Sequence, residues 1–351
     1  MTKFDLYTTD VSRKSFIAGA GASLVLTAAG LVGCGSAPHT TADKSKELTK
    51  LTLCLDYTPN TNHTGMYVAQ AKGFFADEGI ELEIVQPAEN SCEAMVGSGQ
   101  AQLGVSYQDY LASALSQENP FPLTAIAAIL QHNTSGIMSR AVDGITSAKG
   151  MENHTYATWN IPVEQATIKQ VVTSDGGDFS KVNMVPYEVD DEVAGLKANM
   201  FDTVWVYEGW AYQNAQIQNY DVNYFSFVSM DSVFDYYTPI FVANNNFMKD
   251  HAPQVKAFLR AVKKGYEFAI SNPDDAASIL LKAVPELDEK LVRASAQFLA
   301  GEYQKDASSW GVIDGKRWSR YFSWLNDNSL VVSKLDVNSG WTMDYLEAGN
   351  E

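Results

Sequence analysis

Cysteine is scarce in this chain, with three in 351 residues, at positions 34, 54 and 92. Three cannot build a disulfide framework. Cys54 and Cys92 read as buried free thiols, since free Cys behaves as a small hydrophobe, and a Cys54–Cys92 bridge is the alternative. Histidine is as sparse. His39, His63, His132, His154 and His251 show none of the close pair spacings of zinc sites. A Gly-x-Ser-x-Gly elbow, a phosphate loop and a dinucleotide fingerprint are also missing, so no catalytic residue, metal or cofactor is implied. Positive charge is the third deficit: 25 Lys and Arg face 42 Asp and Glu, a net charge of −17. Such a surface disfavours nucleic acid and anionic membrane as partners and suits an exported soluble protein. Finally, the only long apolar run, Ile17 to Leu31, is broken by Gly19, Gly21, Ser23, Thr27 and Gly30. It falls short of the ~20 residues that a spanning helix needs.

What that run does fit is an export signal. Ser12-Arg13-Lys14-Ser15-Phe16 is a charged patch before it, and Leu31-Val32-Gly33-Cys34 closes it. The closing residues look like a lipoprotein processing box, with Cys34 left as the lipidated N-terminus after cleavage. The Arg-Lys pair resembles a variant twin-arginine signal, and an ordinary secretory route fits nearly as well. Residues 1–34 are therefore read as a lipoprotein signal peptide, and the small, polar stretch 35–50 as a flexible tether.

After Lys50, strand and helix patterns alternate. Leu51–Leu55, Ile80–Val85, Leu103–Tyr107 and Leu123–Leu130 read as strands, the last unbroken enough to be buried on both faces. A helix is expected over Asn62–Glu78, capped by Thr61 or Asn62 and stopped by Gly79. Thr155–Trp159, Val182–Tyr187 and Thr203–Tyr207 are further strands, with a helix from Pro162 to Ser174. From Tyr236–Val242 onward the chain returns and becomes helical, over Asn246–Ser271, Pro273–Val284, Asp288–Ala300 and Lys316–Asn326. The pattern predicts an α/β protein of two lobes, each a mostly parallel sheet flanked by helices, with a cleft between them. Residues 51–140 would start the first lobe, 141–236 form the second, and 237–351 complete the first.

One stretch organises the rest. Asp56-Tyr57-Thr58-Pro59-Asn60-Thr61-Asn62-His63-Thr64-Gly65 follows the first strand and enters the first helix. In open α/β sheets ligands bind beyond the carboxyl ends of the strands. Here that position holds a carboxylate, a phenol, two amides and an imidazole. Together with Lys72-Gly73-Phe74-Phe75, Gly97-Ser98-Gly99-Gln100, Val206-Tyr207-Glu208-Gly209-Trp210 and Asp235-Tyr236-Tyr237-Thr238-Pro239, the stretch resembles the thiamine-pyrimidine family. That family joins solute-binding proteins of ABC importers for pyrimidine precursors of thiamine to enzymes that make the pyrimidine. The resemblance spans about residues 50 to 330. It implies the type II periplasmic-binding fold, an aminopyrimidine ligand and a permease as partner, while the processing box at Cys34 is what points to a lipid-anchored, extracytoplasmic location.

Strand ends and motifs then nominate ligand-binding residues: Asp56, Tyr57, Asn60, His63, Tyr107, Trp159, Glu164, Tyr207, Glu208, Trp210 and Tyr237. Rings stack on a flat heterocycle, and the resemblance implies that Asp56, Glu164 and Glu208 accept from its amine. Plainer roles compete with these. Asp56 can be a turn acceptor, His63 a partner of the loop backbone, Glu164 a solvated carboxylate and Trp205, within its strand, a core residue. Gln131 and His132 should also face the cleft. In the related enzymes a lysine that holds pyridoxal phosphate, and a histidine four residues later, follow the third strand. Ser106 and Tyr110 stand in those places here, and the cysteine block of those enzymes has no counterpart in Ser232 to Pro239. An imine needs a primary amine, so a binding protein is expected over an enzyme. Riboflavin and small sulfonates or nitrate are the alternative ligands. An anion would call for arginines, and Arg140, near the hinge, is the one such candidate.

Overall fold

The computed structural model describes residues 48–87, 91–187 and 191–346. The expected signal peptide, Cys34 and nearly all of the tether lie outside them. The first strands are β1 (Thr49–Cys54), β2 (Ile80–Val85), β3 (Leu103–Ser106) and β4 (Leu123–Ala128). Next come β5 (Ser135–Arg140), β6 (Thr155–Thr158), β7 (Asn183–Pro186), β8 (Thr203–Tyr207) and β9 (Val222–Ser226), and then β10 (Ile240–Asn244). Two five-stranded sheets result, ordered β2-β1-β3-β10-β4 and β7-β6-β8-β5-β9.

In each sheet four strands run one way and one is reversed, β10 in the first sheet and β5 in the second. These are the two strands by which the chain changes sheet. The chain leaves β4 at its carboxyl end, so it enters the second sheet from the cleft and must run away from it. The return through β10 repeats the manoeuvre. The segment 135–140, expected to end the first lobe, therefore pairs in the second sheet, and the crossing occupies 129–134. Apolar residues continue from β4 through Ile129 and Leu130, and the polar run from Gln131 to Ser135 that follows marks the join. Arg140, at the end of β5, is carried away from the cleft and pairs with Asp202 (2.5 Å) and Asp143 (2.8 Å).

The two crossings, 129–134 and 227–239, are tied to each other. His132 bridges Asp235 (2.9 Å) and Asp306 (3.0 Å), and the Asn133 side-chain Nδ2 donates to the Phe234 carbonyl (2.9 Å). His132, expected in the cleft, thus serves the hinge. Its hydrogen bond to Asp235 holds its pKa above the usual value.

Two expected helices are broken. The first is a 3-10 turn, Thr61–His63, then Thr64–Ala71, then Phe74–Asp77. Gly73 divides the last two at φ 76°, in the left-handed region. The cap is Asn60, one residue before the expected pair. The helix expected over 246–271 divides at His251, where Pro253 opens the second piece, Ala252–Ser271. Helix Thr64–Ala71 crosses Ala252–Ser271 at two glycines. A Cβ on Gly265 would lie 2.0 Å from the Gly65 carbonyl, and one on Gly65 would meet the Tyr266 ring at 2.4 Å. That approach seats the loop 56–63 against the first lobe. The last long helix, Gly315–Asp327, buries Trp318, Tyr321, Phe322 and Trp324 as expected. Cys54 and Cys92 are buried and free.

Candidate functional site

The loop after β1 is fixed by its own side chains. The Asn60 side chain accepts from the Asn62 amide at 2.9 Å, and the Asn60 amide donates to His63 Nδ1 at 3.1 Å, closing a reciprocal cap. Because Nδ1 accepts, the ring proton sits on Nε2. From there it donates to Asp56 Oδ1 at 2.7 Å. The other carboxylate oxygen of Asp56 accepts from the Tyr107 hydroxyl, at the end of β3. Burial drives the Asp56 carboxyl up. The neighbouring His63 and the hydrogen bonds from His63 and Tyr107 more than offset it, and the pKa is held below its ordinary value. Burial, and then the Asp56 charge, push the Tyr107 phenol far up. Both oxygens of Asp56 are therefore in use.

Tyr107 forms part of the wall of a cavity of about 530 Å³ between the two sheets, within the usual range for small-molecule sites. The first lobe contributes Tyr57, Asn60, Tyr107, Asp109 and Tyr110. The second contributes Trp159, Glu164, Glu192, Trp205 and Tyr207, with Trp210 just beyond β8 and Tyr236 on the return crossing. Rings dominate the wall. Trp159 and Trp205 lie 5.4 Å apart at 44°, and Tyr107 and Tyr110 lie 5.3 Å apart, edge to face. Among the described residues, none that lines it is Lys or Arg.

Three carboxyls reach the wall in different states. Glu164 is 1% exposed and accepts from the Tyr156 hydroxyl (2.7 Å), the Thr158 hydroxyl (2.8 Å) and the Trp159 amide (3.0 Å). The reading of Glu164 as solvated is thereby corrected: it sits in the first turn of helix Pro162–Ser174, where it braces the end of β6. Asp109 is different. Its Oδ1 is buried without a hydrogen-bond partner among the described residues. Burial lifts its pKa to about 7, against the backbone N–H groups of Tyr110 and of Asp109 itself. Glu192 is also lifted to about 7, first by burial and then by Asp191.

Of the eleven nominated residues, Tyr57, Asn60, Tyr107, Trp159, Glu164, Tyr207 and Trp210 line the cavity. Asp56 and His63 stand behind Tyr107. Glu208 begins a π-helical turn, Glu208–Tyr212, outside the lining, where burial and then Glu302 raise its pKa. Tyr237 is buried outside the lining, its hydroxyl accepting from the Asp314 amide at 2.7 Å. In the turn Glu208–Tyr212 it is Trp210 and not Glu208 that reaches the lining. Tyr237 alternates with Tyr236 and Thr238, which line the cavity, because neighbours along the return crossing face opposite ways. The same rule could have found Trp205, two residues before Tyr207 and on its face of β8. Trp205 lines the cavity, and its Nε1 is buried without a partner among the described residues. Asp109, Glu192 and Tyr236 were also missed. Asp109 stands in the first turn of helix Gln108–Leu115, and Glu192 opens helix Glu192–Lys197.

Ser106 and Tyr110, the positions where the resemblance puts the enzymes' lysine and histidine, part company. The Ser106 hydroxyl is buried and donates to Glu93 at 2.5 Å, whereas Tyr110 lines the cavity.

Known proteins share this plan. The formylaminopyrimidine-binding protein of Halalkalibacterium halodurans is 27% identical over 87% of this chain and 92% of its own length. The 4-amino-5-hydroxymethyl-2-methylpyrimidine phosphate synthase THI11 of Saccharomyces cerevisiae is 23% identical, over 85% of this chain and 88% of that protein. Among solved structures, the periplasmic aliphatic sulphonate binding protein SsuA of Escherichia coli superposes with a TM-score of 0.67. It covers 86% of this chain and 95% of its own at 13% identity, a likeness of fold. The NMT1/THI5 like family matches residues 60–276, well over half of the sequence, and the chain belongs to that family.

Proposed function

We propose that this chain is an exported, lipid-anchored solute-binding protein that captures a thiamine pyrimidine precursor and delivers it to the permease of an ABC importer. The ligand would be an aminopyrimidine with a hydroxymethyl, aminomethyl or formylaminomethyl arm. One observation carries the reading: the cavity wall combines aromatic rings with carboxyls, and among the described residues it includes no Lys or Arg. A flat, weakly basic heterocycle stacks on rings and gives its N–H groups to carboxyl oxygens. A sulfonate or nitrate would meet carboxyls where it needs cations, so the sulphonate-binding neighbour supports the fold and not the ligand.

Tyr57, Tyr107, Trp159, Trp205, Tyr207 and Trp210 would supply the stacking surfaces, with Asn60 as a polar contact. Asp56 and His63 would act through Tyr107: its hydroxyl donates a hydrogen bond to Asp56, which leaves the phenol oxygen free to accept from a ligand. Ligand docked on one lobe would draw the other in about the two crossings and shift the population toward a closed form that the permease recognises. Cys34 would hold the protein at the outer face of the membrane.

The synthase relatives favour a second reading, an enzyme of pyrimidine formation. Against it, the position that the resemblance gives to the cofactor lysine holds Ser106, bonded to Glu93, and a hydroxyl forms no imine.

Thermal unfolding against a panel of hydroxymethyl-, aminomethyl- and formylaminomethyl-aminopyrimidine, thiamine, riboflavin, taurine and nitrate tests the proposal. Ligand at ~100 times its dissociation constant adds about 2.7 kcal/mol. A shift with the pyrimidines alone is expected. A shift with riboflavin or taurine alone would overturn the ligand, and turnover of a pyrimidine precursor would overturn the binding role.

A further inference from the structure

We infer that Asp109 is the group that grips the pyrimidine's amidine edge, the ring nitrogen and the adjacent exocyclic amine, through one carboxyl and one shared proton. This assignment rests on the aminopyrimidine reading above and goes further, because it couples ligand capture to the proton balance of the cavity.

The carboxyls of the site differ in what they have left to give. Asp56 is saturated by His63 and Tyr107, and Glu164 by three donors. Asp109 lines the cavity with Oδ1 buried and unpartnered among the described residues. A buried polar atom without a partner costs about 1–3 kcal/mol, a cost that a ligand can remove. The groups facing Asp109 come from four elements: Glu93 on helix Cys92–Gly97, Tyr207 on β8, Tyr236 on the return crossing and Tyr321 on helix Gly315–Asp327. They are one acid and three phenols, all three phenols pushed further from ionisation by burial. None stabilises a negative charge as a cation would, and Asp109 accordingly keeps its proton up to about pH 7.

A neutral carboxyl presents one O–H donor beside one C=O acceptor. The amidine edge presents the reverse, a ring nitrogen that accepts beside an amine that donates. The two fit face to face with two hydrogen bonds and one proton between them, whichever atom holds it. Glu192 shares the cavity and the raised pKa, but among the described residues no oxygen of Glu192 is both buried and unpartnered.

The proton count sets the pH profile. Between the ligand's own pKa and that of Asp109, the free partners already carry the one proton that the complex needs, and affinity is flat. Above pH ~7 both have lost it, so binding must take one up and the dissociation constant rises about tenfold per pH unit. Below the ligand's pKa each partner carries a proton, and binding releases one.

Titration calorimetry of the full chain with 4-amino-5-hydroxymethyl-2-methylpyrimidine, between pH 6 and 9 in buffers of different ionisation enthalpy, reads this directly. The wild type is expected to weaken about tenfold per unit above pH 7 and to take up close to one proton per ligand bound at pH 9. Asp109→Asn should bind with a flat profile, since its amide offers a donor and an acceptor at any pH. Asp109→Ala should bind at least tenfold more weakly at pH 6.5, and Glu192→Gln should keep the wild-type slope. Wild type that binds the pyrimidine with no slope and no proton uptake overturns the assignment alone, whatever the variants do. So does a slope that survives Asp109→Asn. Wild type that binds riboflavin or taurine and no pyrimidine overturns the functional reading, and this one with it.

Discussion

Asp56 and Asp109 both stand at strand-to-helix turns of the first lobe, and burial treats them in opposite ways. Asp56 receives His63 Nε2–H and the Tyr107 hydroxyl and is held as a carboxylate, its pKa below the ordinary 3.8. Asp109 has an oxygen with no partner among the described residues, and its pKa climbs to about 7. Burial alone does not decide the charge of an acid; the donors that the fold supplies decide it. One corner is closed on itself and structural. The other is left open, one of its oxygens buried without a partner among the described residues.

The sharpest way to break the contrast is Asp56→Ala. It strands His63 and Tyr107 in a buried corner, and breaking such a buried set should cost about 3–5 kcal/mol, read from the midpoint of urea unfolding at pH 7. In the wild type the contribution of Asp56 is present above its unfolded pKa and is lost as pH falls below 3.8 through the lower folded value.

Asp109→Asn should act in the opposite direction. The folded state keeps a proton that the unfolded chain has released, so wild-type stability falls as pH rises from 3.8 to about 7. The variant removes that penalty. It is expected to gain about 2–4 kcal/mol at pH 8 and nothing at pH 3.5, and a loss at pH 8 would contradict the open corner. Tyr107→Phe opens the closed corner by one bond, at a cost of about 1–2 kcal/mol. It should also move the Asp56 carboxyl up in a carbon-13 NMR titration. Glu192→Gln is the mildest: its carboxyl is lifted to about 7 but is partly exposed, so the gain at pH 8 should be about 1 kcal/mol.

The sequence revealed the framework more fully than the site. Ile80–Val85, Thr203–Tyr207 and Pro162–Ser174 end where their patterns end, because periodicity, a first-turn proline and flanking turns all agree there. The reversed strand β5 was misassigned, since its direction depends on the path between sheets and not on residue preference. Tyr107, Tyr207, Trp159 and Trp210 were legible as strand-end aromatics. Glu164 was not, because its burial comes from three donors brought together only by the fold. Asp109 escaped notice for a related reason. An acid in a first helical turn is ordinary in sequence, and only the packing of β8, the return crossing and the last long helix around it makes it unusual.

The tryptophans of the cavity wall carry an optical consequence. Of the seven in the chain, Trp159, Trp205 and Trp210 line the cavity, while Trp310, Trp318, Trp324 and Trp341 sit elsewhere in the first lobe and beneath the crossings. Indole emission depends on what touches the ring, and Trp205 has an N–H with no partner among the described residues. A heterocycle entering the cavity would quench or shift three emitters and leave four as an internal reference. Ligand entry would then be readable without a label, and replacing Trp205 by Phe would show how much of the signal comes from that one ring.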